Sequence, residues 1–428
     1  MYVLSNALIL TALFVQVLAV IYLLLPLLYN AAALLFPIPP AEVAKASAKR
    51  AEEHAQSGEA GFACVITAYK EKEFAFLLVD SLLKQRYKNY HIYLVADRCT
   101  AEESDIKHER LHLIYPEAPL DSKVKSLLTA MQHIPADVLP YTLVFDPDNL
   151  AHPNLLREMN HFAQLGFTAI QARRTAKNLH TAYACLDAAS ETYYHISQRV
   201  SPFRLGSSAT IAGSGMAIDT ALYKTLLSQT DQQFAEGEVI VAEDKILQNE
   251  LIEAGHIIAY AKDGLVYDEK VASGGQIQRQ RTRWINSWFG YFRQATGLAW
   301  FGLKKLSSNA LLFGLMISTP PLFLLGLAGL MLSGLSWILT PGFAPYMTGA
   351  TLLFIFNFVA SLAAARADRR IWKALFLIPW FVLRQVMAML NLRQANASFM
   401  ETAHESRLTI DEVLQEFDPK AKYERKRP

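Results

Sequence analysis

Apolar positions along the chain fall into two kinds of pattern, unbroken runs near the ends and short periodic runs between them. From Met1 to Ala41 no residue carries a charge, and "ALILTALFVQVLAVIYLLLPLLY" is close to pure hydrocarbon. A helix needs about 20 consecutive apolar residues to cross a bilayer core, so this stretch predicts a membrane-spanning helix. It lacks the basic start, short apolar core and small-residue cleavage site of a secretory signal, which favours a retained anchor. Leu306 to Ala365 is again free of charge and long enough for two crossings, broken near "TPGFAPY" (Thr340 to Tyr346). The following "IWKALFLIPWFVLRQVMAML" is apolar but holds Pro379 and Arg384 in its middle. A charge at bilayer depth is expensive, so this segment is expected to be interfacial, re-entrant or packed against protein.

Between Gly58 and Phe289 the pattern changes to that of a folded domain. "FACVITA", "YHIYLVAD", "RLHLIY" and "YTLVFD" are apolar runs of strand length, and "EFAFLLVDSLLKQ" and "KVKSLLTAMQHI" carry helical spacing. Strands alternating with helices predict a mostly parallel sheet covered on both faces. Ligands of such sheets bind beyond the carboxyl ends of the strands, and Asp97 and Asp146 close two of these runs. The expected organisation is an anchor (1–40), a polar linker (41–57), the folded domain (58–290), an interfacial helix (291–305), a second membrane region (306–392) and a tail (393–428).

Composition and charge narrow the picture. The 428 residues are 52% hydrophobic and 19% charged, and a net charge of +2 gives no electrostatic footprint for nucleic acid. Cys64, Cys99 and Cys185 are widely separated, without the pairing of a zinc site or disulfide framework, and suit a reducing compartment. Basic residues follow the anchor (Lys45, Lys49, Arg50), follow the third apolar run (Arg366 to Arg370), and fill the end, "KAKYERKR". Cytoplasmic loops are the basic ones, so the folded domain is expected in the cytoplasm and the N-terminus outside. An even number of crossings must then follow the domain. Two spans plus a non-spanning third segment meet that condition.

Three groups of residues carry candidate chemistry. In "VFDPDNL" Asp146 and Asp148 flank Pro147 where a strand ends. Two hard oxygen donors at this spacing suit Mg²⁺ or Mn²⁺, which keep waters and share their shell with substrate phosphates; an ordinary turn, or a cap for the helix near "HPNLLREM", would use the same residues. "AEDK" opens a helical run; Glu243 suits a helix N-terminus, whereas Asp244 suits a general base. In "QIQRQRTRWINSWF", Arg279, Arg281 and Arg283 precede an aromatic cluster. Guanidinium groups suit diphosphate and an indole face suits a sugar ring, while an interfacial helix with snorkelling arginines has the same composition.

Taken in order, "VITAYKE", "LVADRCT", "KVKSLL", "FDPDN", "GSGMAI", "AEDK" and "QRTRW" resemble the membrane-embedded family 2 glycosyltransferases, the group of cellulose, chitin-oligosaccharide, hyaluronan and poly-N-acetylglucosamine synthases. The last motif, Gln280 to Trp284, fits that family's Q-x-x-R-W. The resemblance covers about Phe62 to Phe289 with the flanking membrane segments. It implies a GT-A domain, an α/β Rossmann-like fold with a mostly parallel sheet, in the cytoplasm between N- and C-terminal transmembrane helices of a multi-pass inner-membrane protein. Carried over residue by residue, Ala68, Glu71 and Asp97 line the nucleotide pocket and Lys123 approaches the phosphates. Asp146 and Asp148 hold a Mg²⁺ or Mn²⁺ that bridges the diphosphate, and Asp244 is the catalytic base. Gln280 and Arg283 steady the leaving diphosphate. Trp284, Ser214, Gly215 and Glu243 belong to the acceptor side.

The implied activity is inverting transfer from a UDP-sugar to a growing β-linked polysaccharide or oligosaccharide. The alternative is transfer of one sugar to a lipid acceptor, a polyprenyl phosphate or glycerolipid. The implied partners are the UDP-sugar, a saccharide or lipid-linked acceptor, membrane lipids and an accessory export subunit, with no nucleic acid. A catalytically inactive scaffold or a transporter is the reading from another class; the acids are all retained, and the paired broken repeats of transporters are missing. The chain departs from the family pattern at Lys70, where asparagine is common, at "DRCTAEES", which has Asp105 in place of an acid just after its threonine, and at Leu128, where asparagine is frequent. Near the end, "FMETAHESRLTIDEVLQEF" is expected to form a loop and short helix, with Phe399 and Thr402 resembling the family's gating loop.

Overall fold

The computed structural model describes residues 2–46, 58–103, 105–233, 243–272, 274–379 and 406–417, with side chains described for all of these except 2–6, 46 and 274–285. The chain divides into two compact units. One comprises Pro39–Leu179, Ser208–Lys270 and Glu401–Pro428; the other comprises Met1–Ile38, His180–Ser207 and Val271–Met400.

The first unit is built on eight strands: β1 (Phe62–Tyr69), β2 (Tyr90–Asp97), β3 (Leu111–Ile114), β4 (Tyr141–Phe145), β5 (Leu150–Ala151), β6 (Ala169–Ala176), β7 (Met216–Asp219) and β8 (Ile258–Asp268). They form one sheet in the order β3-β2-β1-β4-β7-β6-β8-β5. β1, β2 and β4 are apolar on both faces and buried almost throughout, as strands of a parallel sheet covered by helices must be. Pairing is parallel across β3-β2-β1-β4 and between β6 and β8. It is antiparallel where β7 joins β4 and β6, and where β5 joins β8.

The sheet is therefore mixed, and its reversed strand matters for the site. Because β7 runs against β4, its first residue, Met216, pairs with Val144 near the carboxyl end of β4. The segment before β7, "GSG" at Gly213 to Gly215, thus reaches the same rim as Asp146. β6 and β8 end there too, the terminal pair being Ala176 and Asp268.

Helices cover the sheet by the spacing of their apolar residues. Glu73–Leu83 buries Phe74, Ala75, Leu78, Val79 and Leu82, the stripe expected of a helix on a core. Lys123–Met131 starts at Ser122, whose side chain accepts the Lys125 amide, an N-cap. The last described segment returns to this unit as a helix, Ile410–Phe417. Its start is a capping box: the Thr409 amide donates to Glu412 Oε2 at 2.8 Å, and the Glu412 amide donates to Thr409 Oγ1 at 3.4 Å. Ile410, Val413 and Leu414 are buried in a cluster with Leu150 and Tyr267.

The second unit holds three helices long and apolar enough to cross a membrane, Ala7–Leu35, Leu322–Leu339 and Ala344–Ala364. The last two are separated at Thr340 to Phe343, within the predicted break. Leu23 packs with Leu325, Met347, Ala350 and Phe354. Polar contacts add to this packing: Asn30 Nδ2 donates to Asn357 Oδ1 at 2.8 Å, and Ser201 Oγ, on the short helix Ser201–Arg204, donates to Asn30 Oδ1 at 2.7 Å. Side-chain hydrogen bonds of this kind hold apolar helices together where hydrophobic burial does not discriminate. The stretch expected as an interfacial helix is part of one longer helix, Gly274–Lys305, which packs on Ser308–Ile317. After it come Arg369–Ala374 and a single turn, Leu375–Leu377. The segment 380–405, with Arg384, Phe399 and Thr402, and most of the linker lie outside the described residues.

Candidate active site

β4 is buried along its whole length, and Asp146 directly follows its last residue, Phe145. The loop that follows is a tight turn held by Asn149, whose amide donates to the Asp146 carbonyl (3.1 Å) and whose Oδ1 accepts the Asp146 amide (3.2 Å). Asn149 Nδ2 reaches Asp148 Oδ1 at 3.3 Å and Asp268 Oδ1 at 3.2 Å. Asp268 is in turn gripped by Arg174 at 2.5 Å and Lys270 at 2.9 Å. Burial opposes its charge, but these two cations hold its carboxyl below the usual carboxylate range.

Lys123, at the start of its capped helix, joins three parts of the chain. Its ammonium lies 2.9 Å from Asp146 Oδ1 and 3.2 Å from Glu243 Oε1, and it donates to the Gly213 carbonyl at 3.3 Å. Burial works against this ammonium, yet the two carboxylates outweigh it and its pKa lies above that of an ordinary lysine. Glu243 and Asp244 form the first turn of the helix Glu243–Glu253, where negative charge is favoured by the helix dipole. A Cβ placed on Gly213 would sit 3.8 Å from Asp244 Oδ2, so the "GSG" backbone lies against the proposed base.

Gly213 and Gly215 both have left-handed φ, +76° and +64°. A Cβ on Gly215 would also come within 3.0 Å of Val266 Cγ2. Between them Ser214 is fully buried, and its Oγ has no hydrogen-bond partner among the described residues. The loop is fixed from below by Gln171 of β6, which sequence reasoning did not single out. Gln171 Oε1 accepts the Ala212 amide (3.0 Å), and Nε2 donates to the carbonyls of Ser214 (2.9 Å) and Gly215 (3.2 Å). Gln248 adds a bond to the Ile211 amide at 3.2 Å. Neither glutamine belongs to a motif, and the strand of Gln171, "AIQARRTA", holds other polar residues, so nothing in the pattern marks it. Tyr223 was missed as well. It is fully buried, its hydroxyl has no partner among the described residues, and burial raises its pKa.

Of the residues expected at a nucleotide, Ala68 is buried and pairs with Ala96, while Glu71 is exposed. Both Asp97 oxygens accept backbone amides, Leu120 N at 3.0 Å and Asp121 N at 2.8 Å. Asp97 thereby fixes the turn that leads into Lys123. Lys70 is left-handed, φ 63°, and its amide donates to the Asp97 carbonyl. Asp105 is taken up by Lys72, 2.7 Å away. Gln280, Arg283 and Trp284 lie on the helix Gly274–Lys305 in the other unit, and their side chains are outside those described.

No group of three His, Cys, Asp or Glu able to hold a metal by itself occurs among the described residues. The donor set nevertheless fits a hard divalent cation that takes the rest of its shell from phosphate and water. Asp146 and Asp148 offer carboxylate oxygens on one short loop, and the Lys123 ammonium on Asp146 marks that loop as a seat for positive charge.

The family described as glycosyltransferase like family 2 matches residues 60–287, more than half of the chain. The chain belongs to that family. It is a glycosyltransferase of the family 2 type, and the matched span contains every residue of the site described above. Among solved structures, a mannosyltransferase, PcManGT from Pyrobaculum calidifontis in complex with GDP-Man and Mn²⁺, is similar at 13% identity and a TM-score of 0.38, over 88% of this chain and 99% of that one. TarS 1–349 of S. aureus in complex with UDP-GlcNAc is similar at 13% identity and a TM-score of 0.38, over 80% of this chain and 94% of that one. No curated protein matches the chain by sequence.

Proposed function

We propose that this family 2 glycosyltransferase is a membrane-bound, inverting enzyme that transfers a sugar from a UDP-sugar to a growing β-linked saccharide at the cytoplasmic face. The observation that carries the reading is the Lys123 ammonium, which draws together the loop after β4, the start of the Glu243 helix and the "GSG" backbone. These are the elements that the family resemblance assigns to donor phosphates, base and acceptor. Three apolar helices of spanning length support attachment to a membrane.

In the proposed reaction Asp244 takes the proton of an acceptor hydroxyl. The freed oxygen forms a bond to the anomeric carbon from the face opposite the diphosphate. The anomeric carbon–oxygen bond breaks, its electron pair leaves with UDP, and an α-linked donor becomes a β-linked product. Lys123 is the protein's own positive charge near the leaving phosphates, and such a fixed charge stabilises the transition state where negative charge builds. Asp146 and Asp148 would hold a Mg²⁺ or Mn²⁺, which when bound adds further charge neutralisation to the diphosphate. Gln280 and Arg283 bind the diphosphate, and Trp284 stacks on the acceptor sugar, as the Q-x-x-R-W motif implies.

UDP release by the purified protein with a panel of UDP-sugars, with and without Mn²⁺, tests the donor class. Asp244→Asn should lower turnover by about 10²–10⁴-fold, the range for loss of a general base, with donor binding retained. Full UDP release by that variant would overturn the assignment. Sizing the product separates the acceptors: a ladder of lengths supports a growing saccharide, and a single lipid-linked species overturns it in favour of one-step transfer to lipid.

A further inference from the structure

Lys177 follows β6 directly and is among the most buried charged residues of the chain, with 1% of its side chain exposed. A buried ammonium is costly unless its hydrogen bonds are met, and the partners of this one are specific. It donates to the Asp148 carbonyl at 2.9 Å and to the Ser406 carbonyl at 3.0 Å, and lies 3.5 Å from Glu269 Oε2. The other oxygen of Glu269 accepts the Ser406 amide at 3.0 Å. The Ser406 peptide is therefore held on both sides, and its neighbour across the lysine is the backbone of Asp148.

The same loop is held a second time, two residues on. Leu150 is buried against Ile410, Val413 and Leu414 of the helix that follows Ser406. That helix is further tied by Lys84 to Asp411 (2.9 Å), and the Arg407 guanidinium lies over the Phe74 ring. No motif, and no residue of the proposed site, requires a lysine at 177 or an apolar helix at 410. Their shared effect is on the position of Asp148.

We propose that Lys177 is a positioning residue for Asp148, and that the C-terminal segment 406–417 is the other half of the same brace, holding the acidic loop at the diphosphate rim without touching substrate. The functional consequence rests on the reading of Asp148 as a ligand of the donor's cation; the brace itself does not.

The test uses the full-length protein in detergent with two variants, Lys177→Met and Leu414→Ala, the second leaving the lysine in place if the first folds poorly. Hydrogen exchange of the Asp148–Leu150 amides reports on the brace alone. It should quicken in both variants, and wild-type exchange in both overturns the proposal. Mn²⁺ binding in the presence of UDP, followed by the loss of the free-ion resonance, should weaken about tenfold in each, the lower end of what loss of a supporting contact does to a metal site. Raising Mn²⁺ should return the rate of each variant to near wild type. A uniform loss of rate at every Mn²⁺ concentration would mean a smaller folded fraction and would also overturn the proposal. Asp148→Ala separates the two readings: wild-type Mn²⁺ affinity in that variant sinks the ligand assignment, whereas its loss alongside unchanged binding in Lys177→Met sinks the positioning role.

Discussion

Lys123 shows how one side chain can organise a site. Its ammonium meets two carboxylates and a carbonyl that come from three distant stretches of the chain, and hydrogen bonds to charged groups are the strong ones. Replacing it by methionine leaves Asp146 and Glu243 without their common partner and removes a positive charge from the proposed phosphate site. Lys123→Met should weaken UDP-sugar binding by about 10–100-fold, the equivalent of one charge-assisted hydrogen bond, as read by calorimetric titration of the donor. Each of these acids was picked out in the sequence by its motif. That they share one lysine was not legible, because the contact depends on how β4, the "GSG" loop and the Glu243 helix meet at the rim. Gln171 and Lys177 were less legible still. They act through backbone carbonyls and amides, which any sequence supplies, so nothing in the pattern marks their partners.

Among the elements, the strands of the first half were readable because both faces are apolar and each run ends in an acid or a turn. β2 begins and ends where "YHIYLVAD" does, and the helix after β1 runs from Glu73 to Leu83. The direction of β7 was not readable. "MAID" is four residues long, and an apolar run of that length carries no information on whether its neighbour runs with or against it. What sets the direction is the turn at Gly213 and Gly215, where the backbone enters a conformation that other residues adopt at a cost of about 1–2 kcal/mol. Gly215→Ala should destabilise the sheet unit by that amount or more, since the new methyl also presses on Val266. The measurement is a denaturant midpoint. The same variant should lose activity at temperatures where the unit is still folded, because the loop is the one that lies against Asp244.

At the scale of the whole chain, apolar content separated membrane-type helices from folded domain, and three helices of spanning length occur within the predicted regions. Charge pairs inside the sheet unit add a pH dependence to its stability. Burial penalises the Asp105 carboxylate, but Lys72, Tyr115 and the Glu102 amide hold its pKa at about 2, below the ordinary 3.8. A carboxyl depressed in the folded state contributes stability above its unfolded pKa and loses it as pH falls through the folded one. The melting temperature should therefore fall as pH drops from about 4 to about 2. Asp105→Asn should flatten that dependence and lower the melting temperature at neutral pH, because the buried Lys72 loses its nearest carboxylate and keeps only Glu102, 3.7 Å away, as an acidic neighbour. A scan of thermal unfolding against pH for the two proteins checks both.

The helix Ile410–Phe417, which supplies core residues to a sheet begun at Phe62, also bears on the order of synthesis. Ribosomes deliver a chain from its first residue at about 5–20 residues per second, and Leu322–Leu339 and Ala344–Ala364 emerge before Ile410 does. Leu150 and Tyr267 must wait for their cover until both long apolar helices have been synthesised. A nascent copy thus gains its hydrophobic stretches first and completes its sugar-handling fold last.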